Sequence, residues 1–244
     1  MERPVGVSII SFFPEFFLPN GHKSINERLE GLTVQLLPLR GLNLTDIQRY
    51  QVLSFEGPWN TGSVLDALRR TVGLRDDEYP SLIDILLFGS GDVNTTKKVA
   101  FIAVAHPQAL PIDIPWLPNS AIELSHNMYK GNARVWGDRK PNGVVLDTYH
   151  WQNFKPGEAE KLLDKFGGQS AIRMVHVKLM NPQETDLFYR GKGNNAYLLR
   201  QFLAHDKSGV IPVVIEANRG ALKLPGFTEH ALLKRLALTV RSIT

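Results

Sequence analysis

The sequence predicts an α/β fold, a (β/α)8 TIM barrel that is irregular in its middle connections. Three observations carry that expectation. Short apolar runs rich in β-branched residues recur eight times, amphipathic stretches separate several of them, and no Gly-rich phosphate loop follows the first run. Near-continuous apolar runs are what strands covered on both faces look like. Strands that alternate with helices build parallel sheets, and eight of them within 244 residues point to a closed barrel. The alternative is an open doubly wound sheet, whose usual phosphate loop is missing here.

Taken in order, the runs cover residues 5–10, 32–37, 50–55, 99–105, 120–124, 143–146, 172–177 and 211–215. The stretch 64–72 puts Leu65, Leu68 and Val72 on one helical face. In 155–166, Leu162, Leu163 and Phe166 oppose Glu158, Lys161 and Lys165. In 197–204, Leu198, Leu199 and Phe202 point inward. A last helix is expected over 230–243, after Thr228 as N-cap and with Glu229 in its first turn. Two connections do not read as helices. Residues 107–118 hold prolines at 107, 111, 115 and 118, and 126–142 is rich in Gly, Asn and Arg. Residues 12–20, 59–63, 127–140 and 181–190 are read as loops that set substrate identity. The aromatic stretch SFFPEFF (11–17) is a lid, a subunit contact, or part of the first helix and core. With no repeat and no linker, residues 1–244 are read as one domain.

Composition narrows the chemistry. Hydrophobic residues make up 43% and charged residues 21%, ordinary for a globular chain. There is no cysteine, so a metal site must be built from His, Asp and Glu, and a reducing, cytoplasmic setting fits. The start MERPVGVSII does not read as a signal peptide, and no apolar stretch is long enough to span a membrane. The net charge of +4 is a mild excess with no basic block beyond pairs such as Lys97-Lys98, so it does not by itself call for a nucleic acid.

In a barrel of this kind the site lies at the C-terminal ends of the strands. There the third run offers Glu56, the fourth His106, the fifth Glu123, the sixth Asp147 and His150, the seventh His176 and the eighth Glu216. The second run offers only neutral Gln35. Each has a plainer explanation taken alone: a core histidine with a hydrogen bond, a carboxylate capping a loop, a turn at Asp147-Thr148. Together they are harder to dismiss. Buried unpaired carboxylates are costly, and several gathered at one place repel unless a cation sits among them. Carboxylates with imidazoles suit one divalent ion such as Mn, Mg, Co or Zn. Such an ion polarises a carbonyl while a neighbouring carboxylate removes the α-proton.

The segments GVVLDTYH, MVHVKL with RGKGN downstream, and PVVIEAN resemble the xylose-isomerase-like TIM-barrel superfamily, and FIAVAHP and AIELSHN resemble its fourth and fifth strands. That superfamily holds sugar-phosphate isomerases and epimerases and endonuclease-IV-like repair enzymes. The resemblance spans residues 99–218 and is faint before them. It implies that Glu123, Asp147, His176 and Glu216 hold one divalent metal, often manganese. It implies that Glu123 and Glu216 are the acid/base pair. His150, with His106 on the same rim, would bind substrate oxygens; Pro58 and Trp59 would form the wall; Gly191-Lys192-Gly193 would shape a loop. Glu56 stands where the superfamily usually has His. Asp186 matches one added ligand of the repair enzymes, but Phe188 falls where their histidine would be.

Three functions follow as expectations. The first is a metal-dependent sugar or sugar-phosphate isomerase or epimerase working through an enediolate, with a small sugar as partner rather than nucleic acid, and with a homo-oligomer possible. The second is an endonuclease-IV-like phosphodiesterase. The third is a non-catalytic barrel used for binding.

Overall fold

A computed structural model describes residues 2–12, 21–36, 51–57, 102–105, 120–125, 143–218 and 220–244. The expected helix 64–72, the connections 107–118 and 126–142, and the segments 13–20 and 59–63 lie outside the described residues.

Among the described residues the strands are β1 (Val5–Ser8), β2 (Thr33–Leu36), β3 (Gln51–Gly57), β4 (Ile102–Ala105), β5 (Ser120–Leu124), β6 (Val144–Asp147), β7 (Ile172–Leu179) and β8 (Val213–Ala217). The sheet is parallel throughout. Each strand pairs with the next in sequence, and β8 returns to pair with β1. Parallel neighbours need crossovers, and the described ones are helical. The helices are α1 (Gly21–Leu29), α2 (Thr148–Gln152), α3 (Glu158–Lys165), α4 (Pro182–Tyr189), α5 (Gly193–Leu203) and α6 (Glu229–Ile243).

The helix boundaries have local causes. Thr228 caps α6, its hydroxyl accepting from the Ala231 amide at 3.2 Å, as the sequence leads one to expect. Helix α5 begins four residues before the expected start, at Gly193, and α3 begins at Glu158, just after a left-handed Gly157. The expectation of a loop over 181–190 is corrected: this segment is α4. Asn181 accepts from the Glu184 amide at 2.9 Å while Glu184 accepts from the Met180 amide at 2.9 Å, and Pro182 supplies a preset first turn.

Alternation along the strands sorts side chains into two apolar clusters. Outward-facing Val175, Val177, Leu179, Val213 and Ile215 pack against Leu162, Leu199, Phe202, Leu232 and Leu236 of the helices. Trp151 of α2 meets Phe202 of α5 edge-on, with ring centroids 4.9 Å apart. The inner cluster is small: Ala121, Val145, Met174 and Val214, one from each of β5 to β8, all fully buried. Two residues further along each of those strands stand Glu123, Asp147, His176 and Glu216. A period of two keeps them on the same inner face. The sheet interior thus has an apolar floor with an ionisable tier above it. Gly143 leads into β6 where a Cβ would sit 2.8 Å from the Ala171 carbonyl, so only glycine fits without movement.

Away from that tier, one buried ion pair ties the chain's ends to the α5–β8 connection. Arg3 bonds Asp206 at 2.6 Å, the Ile211 carbonyl at 2.8 Å and the Thr244 hydroxyl at 3.0 Å. The two side chains are only 4% and 3% exposed. Removing one partner strands the other's charge, so Asp206→Ala is expected to cost about 3 kcal/mol of unfolding free energy in urea titration. A loss below about 0.5 kcal/mol, the ordinary value for a surface substitution, contradicts this.

Candidate metal centre

Each ionisable side chain of the upper tier is delivered by a strand end. Glu123 (5% exposed), Asp147 (3%) and His176 (0%) offer ligand atoms that all lie within 4.8 Å of one another. Among the described residues this is the group whose donor atoms converge. Asp147 closes β6 and opens α2. Its Oδ1 accepts from the amides of Tyr149 (2.7 Å) and His150 (3.0 Å), which fixes the carboxylate and leaves the other oxygen for the site.

Glu216 stands beside the group with one oxygen toward it and the other on Lys178. The resemblance implied that it completes a four-residue metal set. Lys178 lies directly opposite it in the β7–β8 register, and both face inward. The Lys178 ammonium therefore takes Glu216 Oε2 in a short ion pair. The other oxygen, Oε1, remains 3.6 Å from His176 Nδ1, and Glu123 Oε1 lies 3.9 Å from the same nitrogen. His176 Nδ1 is buried with no hydrogen-bond partner. Two atoms each bound to one metal at about 2.0–2.2 Å stand roughly 3–4 Å apart, so the gap matches a shared cation better than a hydrogen bond.

The remaining candidates divide. His150 sits on α2 with its side chain 20% exposed and Nε2 3.7 Å from Glu123 Oε1, at the open side of the cluster. Glu56 lies in β3, paired in register with Val104, and its side chain is outside the described residues. Trp59, Pro58 and His106 also lie outside them. Asp186 is not brought to the cluster. It lies on α4 and pairs with Arg190 one turn later, both well exposed. Phe188, on the same helix, is fully buried in the helix–sheet core.

Lys178 was missed because the strand ends were searched for acids and imidazoles. The signal was present: a lysine two residues after His176 in an otherwise apolar strand must share its inner face. Its position is locked from behind. Its amide donates to the Thr148 hydroxyl at 3.0 Å, and its carbonyl accepts from Asn195 at 2.9 Å.

Electrostatics reflect crowded negative charge. Burial, with the Glu216 charge added to it, pushes Asp147 up to about 7 despite the two capping amides and Lys178. Burial lowers His176 to about 4, so its imidazole is neutral at physiological pH. For Lys178 burial works downward, but Glu216, Asp147 and Glu123 outweigh it and hold the ammonium well above the usual lysine range. For Glu216 burial works upward, and Lys178 reverses it. With His176 neutral, Glu123, Asp147 and Glu216 bring three carboxylates together beside the Lys178 ammonium, a setting that suits a divalent cation.

The residues present therefore fit one divalent ion held by Glu123, Asp147 and His176, with further positions open to water or substrate.

Two outcomes follow for the metal-free protein. Asp147 binds its proton more tightly folded than unfolded, so its contribution is complete below about pH 4 and is lost as pH rises to about 7. Asp147→Asn keeps the cap and removes that loss. Urea titration is expected to show the variant gaining on wild type as pH rises through this window, and a variant less stable than wild type above pH 7 contradicts it. Lys178→Met strands the Glu216 charge and is expected to cost about 2 kcal/mol without metal, partly exposed as the ammonium is. It also releases Glu216 toward the cation, so manganese affinity by calorimetry should rise; a fall contradicts the competition between Lys178 and metal.

The chain matches no protein-family model, no curated protein and no solved structure.

Proposed function

We propose that the protein is a divalent-metal-dependent isomerase or epimerase of a small sugar or sugar phosphate, built on a (β/α)8 TIM barrel of the xylose-isomerase-like kind. The observation that carries this reading is the pairing of a converging ligand group, Glu123, Asp147 and His176, with a further carboxylate, Glu216, across the His176 ring nitrogen. The metal, manganese or alternatively Mg, Co or Zn, would polarise a substrate carbonyl and hold it beside its neighbouring hydroxyl.

The chain's own groups do the rest. A glutamate, Glu216 or Glu123, takes the proton from the carbon beside the carbonyl. The C–H electron pair becomes the C=C bond of an enediolate, and the carbonyl π pair moves to oxygen. Lys178 places a fixed positive charge beside Glu216, where it offsets the charge developing on that oxygen. Return of the proton to the former carbonyl carbon, with the neighbouring hydroxyl's proton passing to the former carbonyl oxygen, isomerises the sugar; return to the opposite face of the same carbon epimerises it. His150, at the open side, is placed to donate to a substrate hydroxyl.

The one-metal reading is favoured over a phosphodiesterase by the two positions that would carry added ligands. Phe188 is buried in the helix–sheet core, and Asp186 is paired with Arg190 outside the cluster.

Metal analysis of protein purified without chelator, followed by a screen of ketoses and their phosphates in deuterated water, tests the proposal. One divalent ion per chain and solvent deuterium at a sugar carbon are expected. Glu216→Gln should reduce that exchange by about 10²-fold or more while the protein stays folded and retains its metal. Three ions per chain point to the phosphodiesterase instead, and no bound metal with no exchange leaves a binding barrel.

A further inference from the structure

Beneath the cluster, Gln35 of β2 reaches across the sheet interior and meets His176. Both side chains are fully buried. The amide nitrogen end of Gln35 lies 3.0 Å from His176 Nε2, and its other neighbour is Met174 Sδ at 3.8 Å. Two buried polar atoms in this pair have no hydrogen-bond partner, Gln35 Oε1 and His176 Nδ1.

The two ends of a carboxamide are alike in shape, so which end faces a neighbour is decided by what the neighbour needs. If the amide N–H donates to Nε2, the imidazole proton must sit on Nδ1. It then points at carboxylate oxygens 3.6 and 3.9 Å away, too far for a hydrogen bond, and Gln35 Oε1 stays unpaired. If the amide is turned, Oε1 accepts a proton from Nε2 at the same 3.0 Å. Only a thioether contact is given up, and thioether sulfur is a weak acceptor. The Nδ1 lone pair then faces Glu123 and Glu216, an arrangement that is stable with a cation between them. Either way one end of the amide stays without a partner, so what separates the two is that only the turned amide leaves Nδ1 able to receive a cation.

We propose that Gln35 is a positioning residue: its side-chain oxygen accepts from His176 Nε2–H already in the metal-free protein and so holds the Nδ1 lone pair ready for the metal. This rests on the reading of His176 as a metal ligand. It gives the second strand, neutral at this position, a place in the site. Metal-bound histidines commonly donate their other ring N–H to an oxygen acceptor, which fixes tautomer and ring orientation.

Nitrogen NMR of protein labelled at histidine, metal-free and near pH 7, reads the tautomer directly. Wild type is expected to carry the His176 proton on Nε2. Gln35→Leu should lose that preference and bind manganese about 10- to 100-fold more weakly, as loss of such an acceptor typically does. Gln35→Glu supplies an oxygen acceptor at the same place and should restore the Nε2–H tautomer. A wild-type His176 proton on Nδ1 overturns the proposal, as does a Gln35→Leu protein with tautomer and manganese affinity both unchanged. If the leucine variant does not fold, the wild-type and Gln35→Glu spectra decide. If wild type binds no manganese, the metal centre above falls, while the tautomer still decides the role of Gln35.

Discussion

Three carboxylates gathered in one buried tier, with the Lys178 ammonium among them, are the constraint on which the rest of this structure turns. Glu123, Asp147 and Glu216 come from three strands and are at most 5% exposed. Charge so placed is costly unless it is paired, and Lys178 pairs with Glu216. Beside that pair stand Glu123, Asp147 and a neutral imidazole whose Nδ1 has no hydrogen-bond partner. Burial, with the Glu216 charge added to it, holds Asp147 near neutral pH rather than in the ordinary acid range.

The fold supplies this tier by a simple rule. Inner side chains recur every second residue, so the floor of Ala121, Val145, Met174 and Val214 forces Glu123, Asp147, His176 and Glu216 above it. Small and medium residues fill the floor and leave the tier little freedom to sink. Backbone contacts then fix individual members: two amides grip Asp147, and Thr148 and Asn195 hold the Lys178 backbone. The site is thus set on strands and their first helical turn, the most rigid parts available.

Much of this was legible in the sequence. Near-continuous β-branched runs marked the strands because both faces are covered, and acids and histidines interrupting them had to be explained. Thr228 and the helix after it were legible for the same local reason that caps work. Other parts were not. Helix α4 was not legible although Asn181, Pro182 and Glu184 spell a capping box, because the short apolar pattern after it is weak. Glu216 was legible as a strand-end acid but its partner was not: register pairs it with Lys178, and a pairing across strands cannot be seen from one strand alone. Gln35 looked inert because it is uncharged, yet what matters there is an acceptor of the right reach.

Crystals grown with manganese and measured at its absorption edge address the central claim most directly. The account predicts one anomalous peak about 2.0–2.3 Å from His176 Nδ1 and from oxygens of Glu123 and Asp147, with Glu216 still on Lys178. A peak elsewhere, or these side chains unchanged around a site that manganese does not enter, would contradict it.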